Sequence, residues 1–158
     1  MILAFDTSSA ACTAALFDGA GHCIARRDER IGRGHSERLV PMLEELLGGR
    51  TADRILVGVG PGSFTGIRVG IAAAHGLAIG WGAELSGMSS LALLAAGADE
   101  AGEIAAAVIG GHGELFVQQF ASNGAGPLLN LRPAEAAAAT SARVVVGSAA
   151  TTLVDARG

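Results

Sequence analysis

The sequence contains no lysine and no tyrosine, and aromatic residues make up only 4% of its 158 residues. A phosphate-binding P-loop places a lysine on the phosphates, so the absence of lysine excludes that motif. So few aromatic side chains argue against a surface that stacks nucleic-acid bases. The net charge of −4 means that the chain as a whole does not attract phosphate backbones electrostatically. If a nucleic acid is involved, we expect a partner to supply most of the contact.

Cysteine is also scarce, because Cys12 and Cys23 are too few for a disulfide framework and lack zinc-site spacing. The two thiols could face each other across neighbouring strands, but we favour reduced side chains that pack as small hydrophobic residues. The chain opens with the strand-like segment MILAFDTS and shows no basic, apolar signal peptide. The sequence therefore predicts a cytoplasmic protein.

The most informative segment is VGVGPGSFTGIRVG, residues 57–70. An apolar run over 55–59 predicts a buried strand, which breaks at Gly60-Pro61-Gly62 before a helix over about 65–80. Glycines at such a turn permit positive φ or close approach, and the first N–H groups of the helix can bind an anion. Two interpretations stay open: a phosphate cradle, or a tight turn with close packing.

The spacing of the glycines weakens the cradle interpretation. Gly60, Gly62 and Gly66 read GxGxxxG, which is one residue too long for the dinucleotide fingerprint. Arg68 is the only cation close by in the sequence. We therefore treat Gly60, Gly62 and Ser63 as weak candidates for nucleotide binding.

Two predicted helices carry one-sided patterns. Glycine, alanine and one leucine recur on one side of the helix at 65–80, and we expect the small side chains among them to allow close packing against the chain's own sheet or another subunit. These residues are Gly66, Gly70, Ala73, Ala74 and Leu77. The helix at 36–47 is predicted to begin at a Ser36 cap, to start or bend at Pro41, and to end at Gly48-Gly49. Its apolar stripe comprises Leu39, Leu43, Leu46 and Leu47.

The predicted elements occur in one order twice, in a chain long enough for one domain or two small lobes. Strands are predicted at 2–6, 12–17, 22–27, 55–59 and 84–86, with helices at 36–47, 65–80 and 90–96. In the second half, strands are predicted at 103–109, 114–120, 128–131 and 144–146, with a helix at 133–140. We place the domains at 1–100 and 101–158 and expect the second lobe to be shortened, without a helix after its last strand.

Three segments together resemble the TsaB (YeaZ) family of bacterial tRNA threonylcarbamoyladenosine biosynthesis proteins. They are MILAFDTSS at 1–9, GHSERLVPMLEELL at 34–47 and GVGPGSFTGIRVGIAAAHGLA at 58–78. The resemblance is thinner from Glu103 onward. There the family's hairpin is usually written with Asp-Ala-Arg and Glu-Val-Tyr, whereas this chain has Gly110, Gly111, His112 and, for the tyrosine, Phe116.

The resemblance implies an α/β protein of the actin-like (ribonuclease H-like, ASKHA) fold, with two related βββαβα lobes. It also implies a noncatalytic scaffolding subunit of the complex that transfers a threonylcarbamoyl group to N6 of adenosine 37 in tRNAs reading ANN codons. The implied partner is TsaD, with TsaE in a larger complex, and tRNA is reached only through that complex. Alone, the chain is expected to form a homodimer and to have no membrane contact.

The resemblance also implies where sites would lie. Asp6, Thr7 and Ser8, with Gly60, Gly62 and Ser63, are the weak nucleotide candidates, although Asp6 capping its own turn is the favoured interpretation. The implied partner interface comprises Leu39, Leu43, Leu46, Gly66, Arg68, Gly70, Ala73, Ala74 and Leu77.

No catalytic residue, metal site or required cofactor is expected, and ATP binding is expected to be weak at most. The catalytic paralogue binds metal through HxxxH, whereas His75 is flanked at that spacing by Ile71 and Ile79. The alternative function is a divergent ATP-dependent phosphotransferase of the actin-like fold.

Overall fold

The computed structural model describes residues 1–98 and 102–158 of the chain. These residues form two compact units, Met1–Met88 and Ser89–Gly158. The domain boundary that the sequence predicts between residues 100 and 101 lies outside the described residues. The division at 88/89 assigns the helix over 90–96 to the second unit.

The first unit contains five strands and two helices. They are β1 (Ile2–Asp6), β2 (Ala11–Phe17), β3 (Cys23–Arg30), α1 (His35–Leu47), β4 (Arg54–Gly58), α2 (Phe64–Trp81) and β5 (Glu84–Met88). The strands form one sheet in the order β3-β2-β1-β4-β5. The central strand, β1, pairs antiparallel with β2 on one edge and parallel with β4 on the other.

Alternation of side chains builds the core of this unit. In β1, Leu3 and Phe5 are buried, and in β2 the buried residues are Cys12, Ala14 and Leu16. Successive strand residues point to opposite faces, so these side chains share one face of the sheet. The apolar stripe of α1 and the Gly/Ala side of α2 cover that face.

The start of α1 differs from the prediction. The helix begins at His35 with Gly34 as its cap at φ 90°, and the Ser36 hydroxyl instead donates to Glu37. The Ser36 cap is therefore wrong, because a glycine in the left-handed region turns the chain two residues earlier. Pro41 lies inside the helix, which does not start there. α2 begins as a capped helix, with the Ser63 hydroxyl accepting from the Gly66 N–H at 3.2 Å.

The second unit contains α3 (Ser90–Ala96), β6 (Ile104–Ile109), β7 (Leu115–Ala121), β8 (Gly124–Ala125), β9 (Leu129–Leu131), α4 (Pro133–Ala139), β10 (Val144–Val146) and α5 (Ala150–Asp155). β10, β6, β7 and β8 are neighbours in this order, and β9 also pairs with β7. β6 pairs antiparallel with β7 and parallel with β10, as β1 does with β2 and β4. The Gly110-to-Gly113 turn joins β6 and β7, with His112 at φ 56°.

The helix α5 corrects the expectation of a shortened lobe without a helix after β10. Leu153 of α5 is fully buried in a core with Ala105, Val117 and Ala149. The sequence signal was weak because α5 is six residues long and its Ala149 cap makes no side-chain hydrogen bond. Apart from the two-residue strand β8, which the sequence did not predict, the β-β-β-α-β order occurs in both units and is followed by a helix in each. Within the described residues, no helix combines the length and apolar character that crossing a bilayer requires.

Candidate functional site

The turn after β1 is held by its own polar groups. The Asp6 carboxylate accepts the Ser8 N–H at 2.6 Å, which is the turn-capping role that the sequence analysis favoured for it. The Thr7 hydroxyl, fully buried, donates to the Gly66 carbonyl at 2.7 Å. The His35 imidazole at the start of α1 donates to the Ser9 carbonyl at 2.8 Å. The turn is therefore tied to both helices of its unit.

The turn between β4 and α2 meets the β1 turn directly. The Ser63 N–H donates to the Ser8 carbonyl at 2.6 Å. Gly60 has φ 86°, a conformation that side chains rarely adopt, and the Gly60-Pro61 bond is cis. A side chain on Gly60 would also meet Ile67, at 2.5 Å from its Cδ1 atom. The Gly60 position therefore has no room for a side chain.

Glycines at every fourth position form the contact between the two segments. A β-carbon on Gly58 would overlap the Asp6 carboxylate, on Gly62 the Ser8 carbonyl, and on Gly66 the Thr7 carbonyl. On Gly70 it would lie 2.5 Å from the Thr7 hydroxyl. We call these four residues, Gly58, Gly62, Gly66 and Gly70, the glycine seam. The seam lets the end of β1 pack against the backbone of β4 and α2.

The seam determines what the predicted nucleotide residues do in this structure. Asp6, Thr7, Ser8, Gly62 and Ser63 come together as the sequence suggested, and Gly60 lies beside them against Ile67. The space at the turn is filled by the Thr7 and Ser8 carbonyl oxygens, whose partial negative charge is unfavourable for a phosphate. The Ser63 N–H, which could have bound an anion, is already bonded. The arrangement supports close packing, while nucleotide binding itself stays a prediction.

The part of the chain that is described contains no cluster of side chains able to bind a metal ion. Among residues 1–98 and 102–158, no three His, Cys, Asp or Glu side chains lie close enough to hold an ion. A protein zinc site takes three or four ligands.

The predicted partner interface needs a correction. Leu39, Leu43 and Leu46 lie inside the core of the first unit. Gly66, Gly70 and Ala74 are also buried in α2. These six residues face the chain's own sheet, so they present no surface to a partner.

The other three predicted interface residues lie nearer the surface. Ala73 and Leu77 are half-buried against the same core, and Arg68 is exposed. The sequence left open whether the Gly/Ala side of α2 packs against the chain's own sheet or against another subunit. In the structure it packs against the chain's own sheet.

A different set of residues forms the exposed side of these helices. Phe64 and Ile79 of α2 are 68% and 83% exposed, and Val40 of α1 is 60% exposed. The Arg68 guanidinium lies over the Phe64 ring at 3.6 Å, a cation–π contact. Between these side chains, a β-carbon on Gly76 would meet nothing within 4 Å. We call Phe64, Arg68, Ala72, Gly76 and Ile79, which recur along one exposed side of α2, the outer helix face.

Sequence reasoning missed Val40, Phe64 and Ile79, because it followed the dominant apolar stripes that form the core. The signal that could have found them is an apolar residue off the stripe, such as Val40 beside Leu39 and Leu43. A cleft of about 480 Å³ adjoins this face and is lined by residues including Ile71, His75, Ile79 and Leu85. The outer helix face thus combines large exposed apolar side chains with small residues, as protein-binding surfaces do.

An ion cluster fixes α1 to the edge strand β3. The Arg38 guanidinium donates to both Glu29 oxygens at 2.5 and 2.6 Å and to Glu45 at 3.0 Å. Hydrogen bonding to Arg38 lowers the pKa of both carboxyl groups below their usual value. Next to this cluster, burial raises the pKa of the Cys12 thiol to about 11.

Comparison with known proteins agrees with this architecture. The family model described as TsaD, tRNA N6-adenosine threonylcarbamoyltransferase, matches residues 28–127. The tRNA threonylcarbamoyladenosine biosynthesis protein TsaB of Escherichia coli is 37% identical over 128 residues, which are 75% of this chain and 54% of that protein. YeaZ from Pseudomonas aeruginosa has a TM-score of 0.73 at 32% identity, covering 84% of this chain and 66% of that one.

A more distant neighbour bears on the fold alone. The Lmo2764 protein of Listeria monocytogenes has a TM-score of 0.50 at 20% identity and covers 79% of this chain and 48% of that one. With the two related β-β-β-α-β-α units, these likenesses define an α/β protein of the actin-like fold. The chain belongs to the TsaB (YeaZ) family, within the wider group that the TsaD model describes. It spans about half the length of the curated relatives it matches.

Proposed function

We propose that this chain is a noncatalytic subunit of the machinery that transfers a threonylcarbamoyl group to N6 of adenosine 37 in tRNAs reading ANN codons. The observation that carries the proposal is the match to TsaB proteins over three quarters of the chain. In this role the chain binds a TsaD-type transferase subunit, with TsaE joining a larger assembly, and needs no cofactor of its own. A cytoplasmic location, where tRNAs are modified, accompanies this proposal.

The outer helix face is the surface that we assign to the partner. Phe64 and Ile79 place large apolar side chains in solvent, at a free-energy cost that docking would remove. Ala72 and Gly76 lie between them on α2 and carry little or no side chain, so a partner helix can approach the backbone closely. The Arg68 guanidinium stacks on the Phe64 ring and favours this orientation of the ring. A second copy of the chain can use the same face when the partner is absent, which gives the homodimer.

The noncatalytic part of the proposal is supported by the glycine seam. An ATP-dependent phosphotransferase would need the groups around Asp6, Ser8 and Ser63 to receive phosphate. Here the Asp6 carboxylate bonds to the Ser8 N–H, and the Ser63 N–H bonds to the Ser8 carbonyl. Opening this contact would break the packing between β1 and α2, so the alternative function has less support.

Substitutions in α2 can test the proposed surface. Gly76→Leu adds a large side chain in open space, so we expect a folded protein whose association with the TsaD-type subunit is weakened by about tenfold to a hundredfold. Gly70→Leu places the same side chain against Thr7 inside the unit, and we expect that variant to unfold. Ala134→Leu, on the exposed side of α4 in the second unit, is the matched control and should bind normally.

Circular dichroism, size-exclusion chromatography and calorimetric titration with the purified TsaD-type subunit provide the readouts. Native-like Gly76→Leu protein with normal binding and normal self-association would refute the assigned surface. Absence of binding by the unsubstituted chain would refute the proposed function itself.

A further inference from the structure

The edge strand β3 and the turn after it carry an unusual concentration of positive charge. The segment RRDERIGR, residues 26–33, holds four of the eleven arginines of a chain whose net charge is −4. Arg26, Arg27 and Arg30 lie on β3, and Arg33 lies in the turn before α1. All four side chains are exposed. None of the four lies in the glycine seam.

Three of these arginines form no ion pair with any carboxylate that the structure describes. Among the described residues, the side-chain ion pairs of arginine involve Arg38 and Arg54, and none includes Arg26, Arg30 or Arg33. Arg27 differs, because its charge helps to lower the pKa of Glu29 and Glu45 and is partly offset by them. We call Arg26, Arg30 and Arg33 the basic strip.

The register of the sheet determines which way Arg26 and Arg30 face. Arg26 lies opposite Ala15 and Arg30 opposite Ala11, so both project from the face opposite to that of the buried Cys12, Ala14 and Leu16. Asp28, opposite Thr13, lies between them on that face. Two positive charges, Arg26 and Arg30, against the one negative charge of Asp28 leave this face of β3 positive, and Arg33 adds a further positive charge in the turn that follows. The neighbouring alanines are too small to cover the guanidinium groups.

The chemistry of the strip favours a phosphate backbone over an acidic protein. Strong protein interfaces are anchored by buried aromatic or large apolar side chains, whereas residues 26–33 contain no aromatic residue. The one large apolar side chain in the segment, Ile31, packs against the core. Guanidinium groups bind phosphate oxygens in a bidentate manner and remain charged at every physiological pH. Arg26 and Arg30 are about 13 Å apart along the strand, a distance at which both can contact phosphates of one nucleic-acid strand.

We propose that the basic strip contacts the ribose-phosphate backbone of the tRNA in the assembled complex. This inference rests on the proposed function and adds a direct contact from this chain to the nucleic acid. The contact is independent of sequence, because the strip offers charge without base-stacking side chains. The net charge of −4 keeps the isolated chain a weak binder, so the strip acts where the transferase subunit already holds the tRNA.

The experiment measures tRNA affinity of the complex between this chain and the TsaD-type subunit. The test variant is Arg26→Gln/Arg30→Gln, and the control is Arg132→Gln/Arg143→Gln, which removes the same charge from exposed positions of the second unit. An unmodified tRNA transcript reading an ANN codon is the probe, titrated at several salt concentrations. We expect about tenfold weaker binding for the test variant, and a salt slope smaller by about two, with the control unchanged.

A charge-preserving variant separates charge from folding. Arg26→Lys/Arg30→Lys should retain most of the affinity and the salt slope, since lysine also binds phosphate as a point charge. Equal tRNA affinity of the Gln variant and the control would overturn the inference. Loss of association with the TsaD-type subunit would also overturn it, because the strip would then bind protein. New self-association of the Gln variant at unchanged tRNA affinity would instead assign the arginines to protection of the sheet edge.

Failure of the tRNA contact and failure of the proposed function give different experimental results. If the unsubstituted chain does not bind the TsaD-type subunit, the proposed function and the tRNA contact that rests on it are both overturned. If the subunits associate normally and only the tRNA data fail, the proposed function stands without the strip.

Discussion

The hydroxyl oxygen of Thr7 lies 2.5 Å from the position that a β-carbon on Gly70 would occupy. The same hydroxyl donates a hydrogen bond to the Gly66 carbonyl at 2.7 Å, so one buried side chain bridges two turns of α2. The end of the first strand and the middle of the second helix are thus joined through the Thr7 side chain, which packs against glycines that leave room for it. This relationship makes opposite predictions for two glycines of the same helix.

Gly70→Ala and Gly76→Ala should change stability in opposite directions. The new methyl group at Gly70 must displace Thr7, which we expect to lower the free energy of unfolding by about 1–3 kcal/mol. At Gly76 the methyl group meets nothing within 4 Å and removes the helix penalty of glycine, for a gain of up to about 1 kcal/mol. Urea unfolding of both variants measures the difference. Equal effects at the two positions would contradict the packing described here.

Leu153→Ala should destabilise the protein by about 2–5 kcal/mol, because it leaves a cavity in the core of the second unit. Val154→Ala is the matched control, since Val154 is the next residue of α5 and is 50% exposed. We expect its effect to be within about 0.5 kcal/mol. Thermal or urea denaturation reports both values, and a small effect of Leu153→Ala would mean that α5 does not close this core.

The two cysteines should differ sharply in reactivity. Cys12 is fully buried, and burial raises the pKa of its thiol to about 11, whereas Cys23 is exposed. A disulfide reagent such as DTNB at pH 8 should therefore titrate one thiol quickly and the second only after denaturation. Cys23→Ser should abolish the fast phase. A fast phase that survives this substitution would show that Cys12 is accessible.

Charge removal at Arg38 should destabilise the protein in a pH-dependent manner. Its hydrogen bonds lower the pKa of Glu29 and Glu45 from 4.5 in the folded chain, so their contribution to stability is present above pH 4.5 and is lost as the pH falls through the folded values. The difference between the wild type and Arg38→Gln should therefore be largest near neutral pH and shrink in acid. Arg50→Gln is the control, because Arg50 donates to the Leu47 carbonyl at 2.7 Å and its effect should not vary in this range. A constant difference for Arg38→Gln would contradict the assignment.

Local patterns were enough where an element has a strong signal of its own. The bounds of β1, α3 and β10 agree with the predictions at 2–6, 90–96 and 144–146. An apolar run bounded by polar residues or a serine cap specifies such elements within a few residues. The cap of α1 and the presence of α5 were predicted wrongly, because Gly34 caps by its conformation and α5 is short and held by the burial of Leu153.

The sequence predicted the residues of the candidate site and the turn-capping role of Asp6, but not how the two turns pack against each other. The glycine motif and the polar turn after β1 were both identified in the sequence, and the structure brings them together. The spacing of these residues in the sequence could not show that carbonyl oxygens of the turn after β1 fill the space beside the glycines of the turn before α2. In the same way, a one-sided pattern of Gly66, Gly70 and Ala74 indicates close packing without naming the surface that is packed.

The sequence by itself determined the α/β class, the doubled order of elements and the family, because periodicity and motifs depend on residues that are close together in the chain. Only the tertiary structure decided which face of α2 is buried, since that depends on Thr7, a residue distant in sequence that lies against Gly66 and Gly70. It also decided that Phe64 and Ile79 are exposed and that the arginines of β3 lie on a sheet edge. Burial is a property of contacts between distant segments, which no local pattern specifies.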